Sequence, residues 1–232
     1  SAVLKSAVSD KLLAANVADD ILRNTDKVDY KPKESRPLTP AEKKAVFEAD
    51  YKYDSDQAYV YLIYGCGLRR EECVALTVFD FNFKKKELSV SRAYEYITNT
   101  PGVKDPKSYN GTRTIPIPAK VLPVIQNYVE SVKRSGRTQL FVTMQYKKPL
   151  TKSAYDKMWK RIVAAMQEVC DEEIVKLTGH VFRHNYCSSL CYQIPRISIK
   201  RIAQLMGDTE EMVMKVYSHI LAEREDVEGA VN

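Results

Sequence analysis

The sequence lacks the segments that would send a chain into or across a membrane. It has no charged and then apolar leader at its N-terminus, and no apolar run approaches the roughly 20 residues that cross a bilayer. We therefore expect neither secretion nor membrane insertion, and no membrane partner. Because the chain starts at Ser1 rather than Met, we expect it to be a piece of a longer protein.

A disulfide framework is missing as well. The cysteines are odd in number, lack the spacing of a zinc ribbon and lie in apolar stretches: Cys66, Cys73, Cys170, Cys187 and Cys191. This pattern predicts reduced thiols inside the core of a cytoplasmic protein.

The sequence has no internal repeat, no low-complexity segment and no extreme of charge. Its net charge of +6 fits a polyanionic partner without demanding one. With 232 residues and 44% hydrophobic content, the chain is long enough for one large or two small packed domains.

Helical periodicity and turn residues divide the chain into parts. Apolar spacing predicts a helix over residues 2–16, and the polar, proline-punctuated residues 25–37 predict a linker. A new domain is expected from residue 38, where Thr39, Pro40 and Glu42 form the signature of a capped helix start.

Within residues 38–232 the pattern is mainly helical with one small antiparallel β-sheet, an α+β class. Two helices are expected to meet at a tight corner at Gly65 and Gly67. Alternation predicts strands over 87–97 and 112–118, with room for a short strand between them, and a turn at Lys84–Lys86. Further helices are predicted over 119–135, 151–170, 180–193, 198–206 and 210–217.

Four short stretches contain residues suited to phosphoryl chemistry: "GLRREE", "PKSYNGTRTIPIP", "GHVFRH" and "LMGDTEEMVMKVYSHI". In this order they resemble the tyrosine recombinases, the phage integrase family of site-specific DNA recombinases. The resemblance covers residues 38 to about 220. Residues 1–24 resemble the end of the helical core-binding domain that precedes the catalytic domain in that family.

The resemblance implies a catalytic set: Arg69, Lys107, His180, Arg183 and the nucleophile Tyr217. Arg70 adjoins Arg69, but the preceding Gly67-Leu68 and the following Glu72 favour Arg69 as the catalytic arginine. Further basic residues are candidates for contact with DNA: Arg70, Lys152, Lys157, Lys160 and Arg161.

Beside this set, Glu72 and His184 are expected to support it. Asp208 departs from the family, which usually has histidine or tryptophan at that position.

The chemistry of strand exchange explains these residue types. Two guanidiniums can clamp the phosphate oxygens, which gain negative charge during attack, without a metal ion. A phenol needs a base and a cationic surrounding to attack near neutral pH, and His180 is a candidate for this base or for a phosphate donor. Lys107 is a candidate acid for the leaving 5′-oxygen. No cofactor, metal or ATP is expected.

Asp208 is not expected to contact the phosphate. A carboxylate about 4 Å from a phosphate repels it by about 1 kcal/mol in water and about 4 kcal/mol at an effective dielectric of about 20. We therefore predict one of two supporting roles. Asp208 either N-caps the helix that carries Tyr217, or pairs with Arg183 or a neighbouring lysine.

Two other functions remain open from the residues. A non-catalytic DNA-binding module would use the basic residues Lys152, Lys157, Lys160 and Arg161 without needing Tyr217. A metal site would use His180, His184, Cys187 and Cys191, but this helical row spans roughly 16 Å, too far for one tetrahedral ion.

The resemblance also implies partners. These are duplex DNA attachment sites and a homo-oligomer, a tetramer, on DNA in a bacterial cytoplasm. The similarity is greatest to integrases of phages and conjugative transposons. Residues 221–232 are expected to form a tail that packs on a neighbouring subunit, with Ile220, Leu221 and Val227 as anchors.

Overall fold

The computed structural model describes residues 2–16, 36–104 and 112–224, and the chain divides into two compact units, residues 1–34 and 35–232. In the first unit, helix α1 (Ala2–Ser9) is followed by turns up to Asn16. The helix is shorter than the predicted 2–16, and Lys11 has a positive φ of 55°, which is incompatible with a continuing helix. Most of the predicted linker lies outside the described residues.

The second unit begins with helix α2 (Pro40–Glu48), whose capping box is the predicted one. The Thr39 hydroxyl accepts from the Glu42 backbone N–H at 3.1 Å, and the Glu42 carboxylate accepts from that of Thr39 at 2.9 Å. Arg36, which was assigned to the linker, donates to both Glu42 oxygens at 2.6 Å.

The remaining helices of the described residues follow the predicted order. They are α3 (Asp54–Cys66), α4 (Arg70–Val74), α5 (Leu122–Arg134), α6 (Lys152–Val169), α7 (Gly179–Cys191), α8 (Ile199–Met206) and α9 (Glu210–Arg224), with a 3₁₀ turn at Val78–Asp80. The last of these runs past the predicted end at residue 217. In the part of the chain that the structure describes, no helix has the length and apolar character needed to span a membrane.

The strands form two small antiparallel sheets. The first contains β1 (Phe81–Asn82), β2 (Glu87–Val90) and β5 (Arg113–Pro116) in the order β1-β2-β5, and the second pairs β3 (Ala93–Glu95) with β4 (Gly102–Lys104). The predicted turn at Lys84–Lys86 connects β1 to β2.

The single strand predicted over 87–97 is wrong, because the chain leaves the first sheet after Val90. Arg92 lies at the break. Its guanidinium donates to the Ala75 carbonyl at 3.1 Å and to the Asp80 carboxylate at 2.5 to 2.7 Å, between the end of β2 and the start of β3.

Two apolar clusters form the core. The larger contains residues of the five helices from α2 through α6 and of the first sheet, and Tyr59, Leu62 and Ile162 are fully buried in it. The smaller lies among α7, α8 and α9 and includes Ile202, Val213 and Ile220. All cysteines except the half-buried Cys170 are buried and none is paired in a disulfide. The predicted class, mainly helical with a small antiparallel sheet, is confirmed.

Candidate active site

The first arginine lies at the predicted corner between α3 and α4. Helix α3 ends at Gly67, whose φ of 59° is left-handed, and a Cβ atom added there would lie 2.2 Å from the Tyr186 ring. Glycine is therefore required both by the backbone conformation and by the space. Arg69 follows as the N-cap of α4, and its backbone N–H donates to the Glu72 carboxylate at 2.9 Å.

Glu72, which the sequence predicts to support the catalytic set, lies buried at this corner. Its buried carboxylate accepts from the Arg69 guanidinium at 3.1 Å and from two nitrogens of Arg113 at 2.9 and 2.7 Å. Arg113 also donates through Nε to the Leu205 carbonyl at 2.9 Å. Glu72 and Arg113 thus connect α4, the first sheet and the end of α8.

The sequence interpretation missed Arg113. Its signal was the alternation in "TRTIPIP", which places Arg113 on the same strand face as the buried Ile115 and Ile117. An arginine on an inward strand face needs a buried anion, and Glu72 is that anion.

The environment of Glu72 keeps it ionised. Burial alone would raise the pKa of the carboxyl, but the hydrogen bonds and charge of Arg113, the Arg69 N–H and the charge of Arg183 lower it below its ordinary value. The carboxylate therefore contributes stability above the pKa of an unfolded glutamate, about 4.3, and loses it as the pH falls through the folded value.

We expect the free energy of unfolding to fall as the pH drops below about 4. Part of this slope should disappear in Glu72→Gln, because the variant has no carboxyl to protonate at this position. Urea unfolding between about pH 7 and about pH 3 measures it. The exposed Glu48→Gln should keep the wild-type slope, and an unchanged slope in Glu72→Gln would contradict the assignment.

The second arginine, Arg183, reaches the same place from α7. It is only 6% exposed, and it donates to the carbonyl of Gly67 at 2.8 Å and to that of Met206 at 2.6 Å. Burial and the charge of Arg69 lower the pKa of the Arg183 guanidinium, while Glu72 and Asp208 oppose this shift. An arginine remains a cation under such conditions.

Asp208 joins the two arginines. Its Oδ2 atom accepts from Arg69 Nη2 at 3.1 Å and from Arg183 Nη2 at 3.0 Å. Arg69 Nη2 also donates to the Gly207 carbonyl at 2.9 Å. The expected pairing with Arg183 is therefore present, and it extends to Arg69.

The alternative prediction, that Asp208 N-caps the helix of Tyr217, is wrong. Helix α9 begins at Glu210, and the Thr209 hydroxyl accepts from the Met212 backbone N–H at 3.3 Å. Thr209 therefore occupies the capping position, and the carboxylate one residue earlier is free to turn towards the arginines.

Two other predicted catalytic residues, His180 and Tyr217, do not contact the two arginines through hydrogen bonds of the described residues. His180 is exposed in the first turn of α7, one turn before Arg183, and Tyr217 is half-buried on α9 against the smaller apolar cluster. Among the hydrogen bonds of residues 36–104 and 112–224, none links either side chain to the arginines. Lys107 lies outside the described residues.

His184 is half-buried, and its Nδ1 lies 3.4 Å from the Ser188 hydroxyl. Burial and the nearby His219 lower its pKa. This geometry fits the supporting role that the sequence predicts.

Arg70 turns away from the Arg69 site. It forms an ion pair with Glu71 at 2.5 Å, and its guanidinium lies 5.2 Å from the centroid of the Tyr155 ring. Of the two adjacent arginines, Arg69 is thus the one that meets Arg183.

The basic residues of α6 divide into two groups. Lys152, Lys157 and Lys160 are exposed, and their contact with DNA stays a prediction. Arg161 instead forms a two-point ion pair with the buried Asp56 at 2.6 and 2.8 Å, so its guanidinium holds α6 to α3.

The alternative metal site finds no support in the geometry. Cys187 and Cys191 are buried, whereas His180, at the other end of the row, is exposed. Across the described ranges, no three side chains of His, Cys, Asp or Glu are grouped so that they could hold a metal ion.

Comparison with known proteins identifies the family. The profile of the phage integrase family matches residues 37–224, which include both arginines, Glu72, Asp208 and Tyr217. The chain belongs to the phage integrase family. Membership agrees with the resemblance that the four sequence stretches carry.

Relatives of this phage integrase family chain include recombinases and transposases. It is 28% identical over 198 residues to the tyrosine recombinase XerA of Pyrococcus furiosus, covering 84% of this chain and 62% of the relative. It is 22% identical over 224 residues to the transposase from transposon Tn916 of Enterococcus faecalis, covering 92% of this chain and 54% of the relative. The chain thus spans somewhat more than half the length of these relatives.

Solved structures show the same fold. The Tn1549 transposon integrase in complex with a circular intermediate DNA has a TM-score of 0.73 and 24% identity, covering 96% of this chain and 75% of that one. A crystal structure of XerA recombinase has a TM-score of 0.60 and 19% identity, covering 81% of this chain and 61% of that one.

Proposed function

We propose that this integrase family member is the catalytic part of a tyrosine-type site-specific recombinase, which cleaves and rejoins duplex DNA through a 3′-phosphotyrosyl intermediate. The observation that carries the proposal is the convergence of Arg69 and Arg183. Their Nη2 atoms come from different elements and both donate to one oxygen atom of Asp208. Two guanidiniums directed at one anionic oxygen are suited to bind a phosphate.

In the proposed reaction the Tyr217 Oη attacks the scissile phosphorus, and the bond from phosphorus to the 5′-oxygen breaks. Arg69 and Arg183 stabilise the charge that develops on the non-bridging oxygens. His180 accepts the phenolic proton or donates to the phosphate, and Lys107 supplies the proton that the 5′-oxygen takes. Attack by a second 5′-hydroxyl on the phosphotyrosine reverses these steps, so the energy of the cleaved bond is retained.

The buried hydrogen bonds that hold Arg183 in place favour catalysis over DNA binding alone. A module that only binds DNA gains its affinity from exposed cations such as Lys152, Lys157 and Lys160. Such a module has no need for a buried arginine like Arg183, whose guanidinium is held in one position by two backbone carbonyls.

The proposal extends to the setting of the enzyme. Residues 38–232 would form the catalytic domain, and residues 1–24 the end of a core-binding domain. The similarity to the Tn916 transposase and the Tn1549 integrase supports an integrase of a mobile element, a phage or conjugative transposon, acting in a bacterial cytoplasm.

The test is formation of a covalent adduct. Nicked duplexes that tile the DNA flanking the gene would be incubated with the protein, and denaturing electrophoresis would reveal a protein that carries DNA. Peptide mass analysis should locate the adduct at Tyr217. An adduct at another residue, or none across the tiled region while the protein still binds it, would contradict the proposal.

We expect adduct formation to survive chelation. Arg69, Arg183 and Lys107 would supply the charge stabilisation that divalent cations give to carboxylate nucleases. The measurement compares initial rates with and without EDTA at constant ionic strength, and the two rates should agree within about twofold. A rate that collapses in EDTA and returns with Mg²⁺ would show that a metal is needed.

The proposed assembly is a homo-oligomer, a tetramer, on DNA, with the C-terminal tail as a contact between subunits. One expected anchor is wrong: Ile220, on α9, is buried within its own chain as part of the smaller apolar cluster. Leu221 is exposed and stays a candidate, and Val227 lies outside the described residues.

Because α9 runs to Arg224, a deletion that tests the tail must begin after it. Removing residues 225–232 should weaken multimer formation on a two-site duplex by about tenfold and leave binding to a single site within about twofold. Gel-shift titrations of both duplexes measure this. Equal losses on the two duplexes would refute a role for residues 225–232 between subunits.

A further inference from the structure

Asp208 occupies the point at which the two arginines converge. Its Oδ2 receives Arg69 Nη2 at 3.1 Å and Arg183 Nη2 at 3.0 Å, and its side chain is 26% exposed, so the carboxylate lies at the open side of the arginine pair. The two Nη1 atoms have partners elsewhere. Arg183 Nη1 is bound to the Gly67 carbonyl, and Arg69 Nη1 to Glu72.

A phosphate oxygen that binds between the two Nη2 atoms must therefore compete with the carboxylate for these nitrogens. Both groups cannot occupy the position, because two anionic oxygens in contact repel each other and each Nη2 is already shared with a backbone carbonyl. The carboxylate is the group that can move, since Arg183 is buried and Arg69 is held through both its guanidinium and its backbone.

The position of Asp208 in the chain connects this exchange to the nucleophile. Thr209, the next residue, caps α9, and the Thr209 backbone N–H donates to Asp208 Oδ1 at 3.1 Å. Glu210 begins the helix that carries Tyr217. A movement of the Asp208 carboxylate would thus change the hydrogen bonding of the residue that caps that helix.

We propose that the Asp208 carboxylate is a latch: it fills the phosphate position of the Arg69–Arg183 clamp in the DNA-free protein, and its displacement by a phosphodiester releases the start of α9. The proposal rests on the proposed function and makes Asp208 a positioning residue. It acts on the nucleophile through the helix start and on the phosphate through the two arginines.

The test uses dimethyl phosphate, a phosphodiester anion without bases or sugar, so it needs neither a DNA site nor cleavage. It is titrated against the wild-type chain, Asp208→Asn and Glu211→Gln, with amide NMR shifts of residues 207–213 as the readout. Glu211 lies on the same helix with a 79% exposed side chain, so its variant removes an equal charge without touching the clamp.

We expect Asp208→Asn to bind dimethyl phosphate about tenfold more tightly than the wild type, the effect of freeing a charge-assisted hydrogen bond. Glu211→Gln should bind within about twofold of the wild type. Equal or weaker binding by Asp208→Asn would overturn the latch, because it would mean that the carboxylate supports the clamp rather than blocks it.

A second measurement uses the wild-type chain and does not depend on the variant folding. Hydrogen exchange at the amides of residues 209–213 should accelerate at a saturating concentration of dimethyl phosphate, relative to chloride at the same ionic strength. No acceleration beyond chloride would overturn the coupling to α9. The proposed recombinase function fails on a different observation, the absence of a Tyr217 adduct, so the two failures are distinguishable.

Discussion

Replacing Tyr217 with phenylalanine is expected to lower adduct formation by more than about a thousandfold, to below detection. The variant loses the attacking oxygen, and no other group at the site can replace it. Affinity for duplex DNA should stay within about twofold, because no charge that neutralises phosphate is removed. Adduct yield on a nicked duplex and a gel-shift titration measure the two effects.

The matched control is Tyr146→Phe, which removes a phenolic oxygen from a side chain that is 68% exposed and far along the chain from α9. It should keep wild-type adduct yield. If Tyr217→Phe formed the adduct at the rate of this control, Tyr217 would not be the nucleophile and the proposed reaction would be wrong.

Replacing Arg113 with methionine should cost about 3 to 5 kcal/mol in the free energy of unfolding. The variant leaves the Glu72 carboxylate buried without the two nitrogens that hold it at 2.7 and 2.9 Å. It also frees the Leu205 carbonyl at the end of α8. Urea unfolding at neutral pH measures the loss, and Arg134→Met, on an exposed position, serves as the control.

The double variant Glu72→Gln with Arg113→Met tests the reason for this loss. It contains no unpaired buried charge, so it should recover more than half of the free energy that the single variant loses. If Arg113→Met lowered the free energy of unfolding by less than about 1 kcal/mol, or if the double variant recovered nothing, the Glu72–Arg113 ion pair would not be what stabilises the corner.

Local patterns in the sequence were sufficient for the features that depend on near neighbours. The corner at Gly67 and the capping box of Thr39 and Glu42 follow from residue types within a few positions, because backbone conformation and capping are local properties. The choice of Arg69 over Arg70 also rested on near neighbours, Gly67-Leu68 before it and Glu72 after it.

Features that depend on distant contacts were not predictable in the same way. Arg113 is 41 positions from Glu72, and only the folded chain shows that they pair. The strand predicted over 87–97 is interrupted next to Arg92, which bonds to the distant Asp80, and the alternation gave no local sign of the interruption. For Asp208, physical reasoning limited the role to two choices, and the tertiary structure decided between them.

The missing side chain at Gly67 has a consequence for the distance between the two cations. Any larger residue there would press on the Tyr186 ring and push α7 away from the corner. The carbonyl of the same glycine fixes the Arg183 guanidinium, and Arg69 follows two residues later. The Arg183 side of the gap that a phosphate must fit is therefore defined by a main-chain carbonyl, which does not change rotamer.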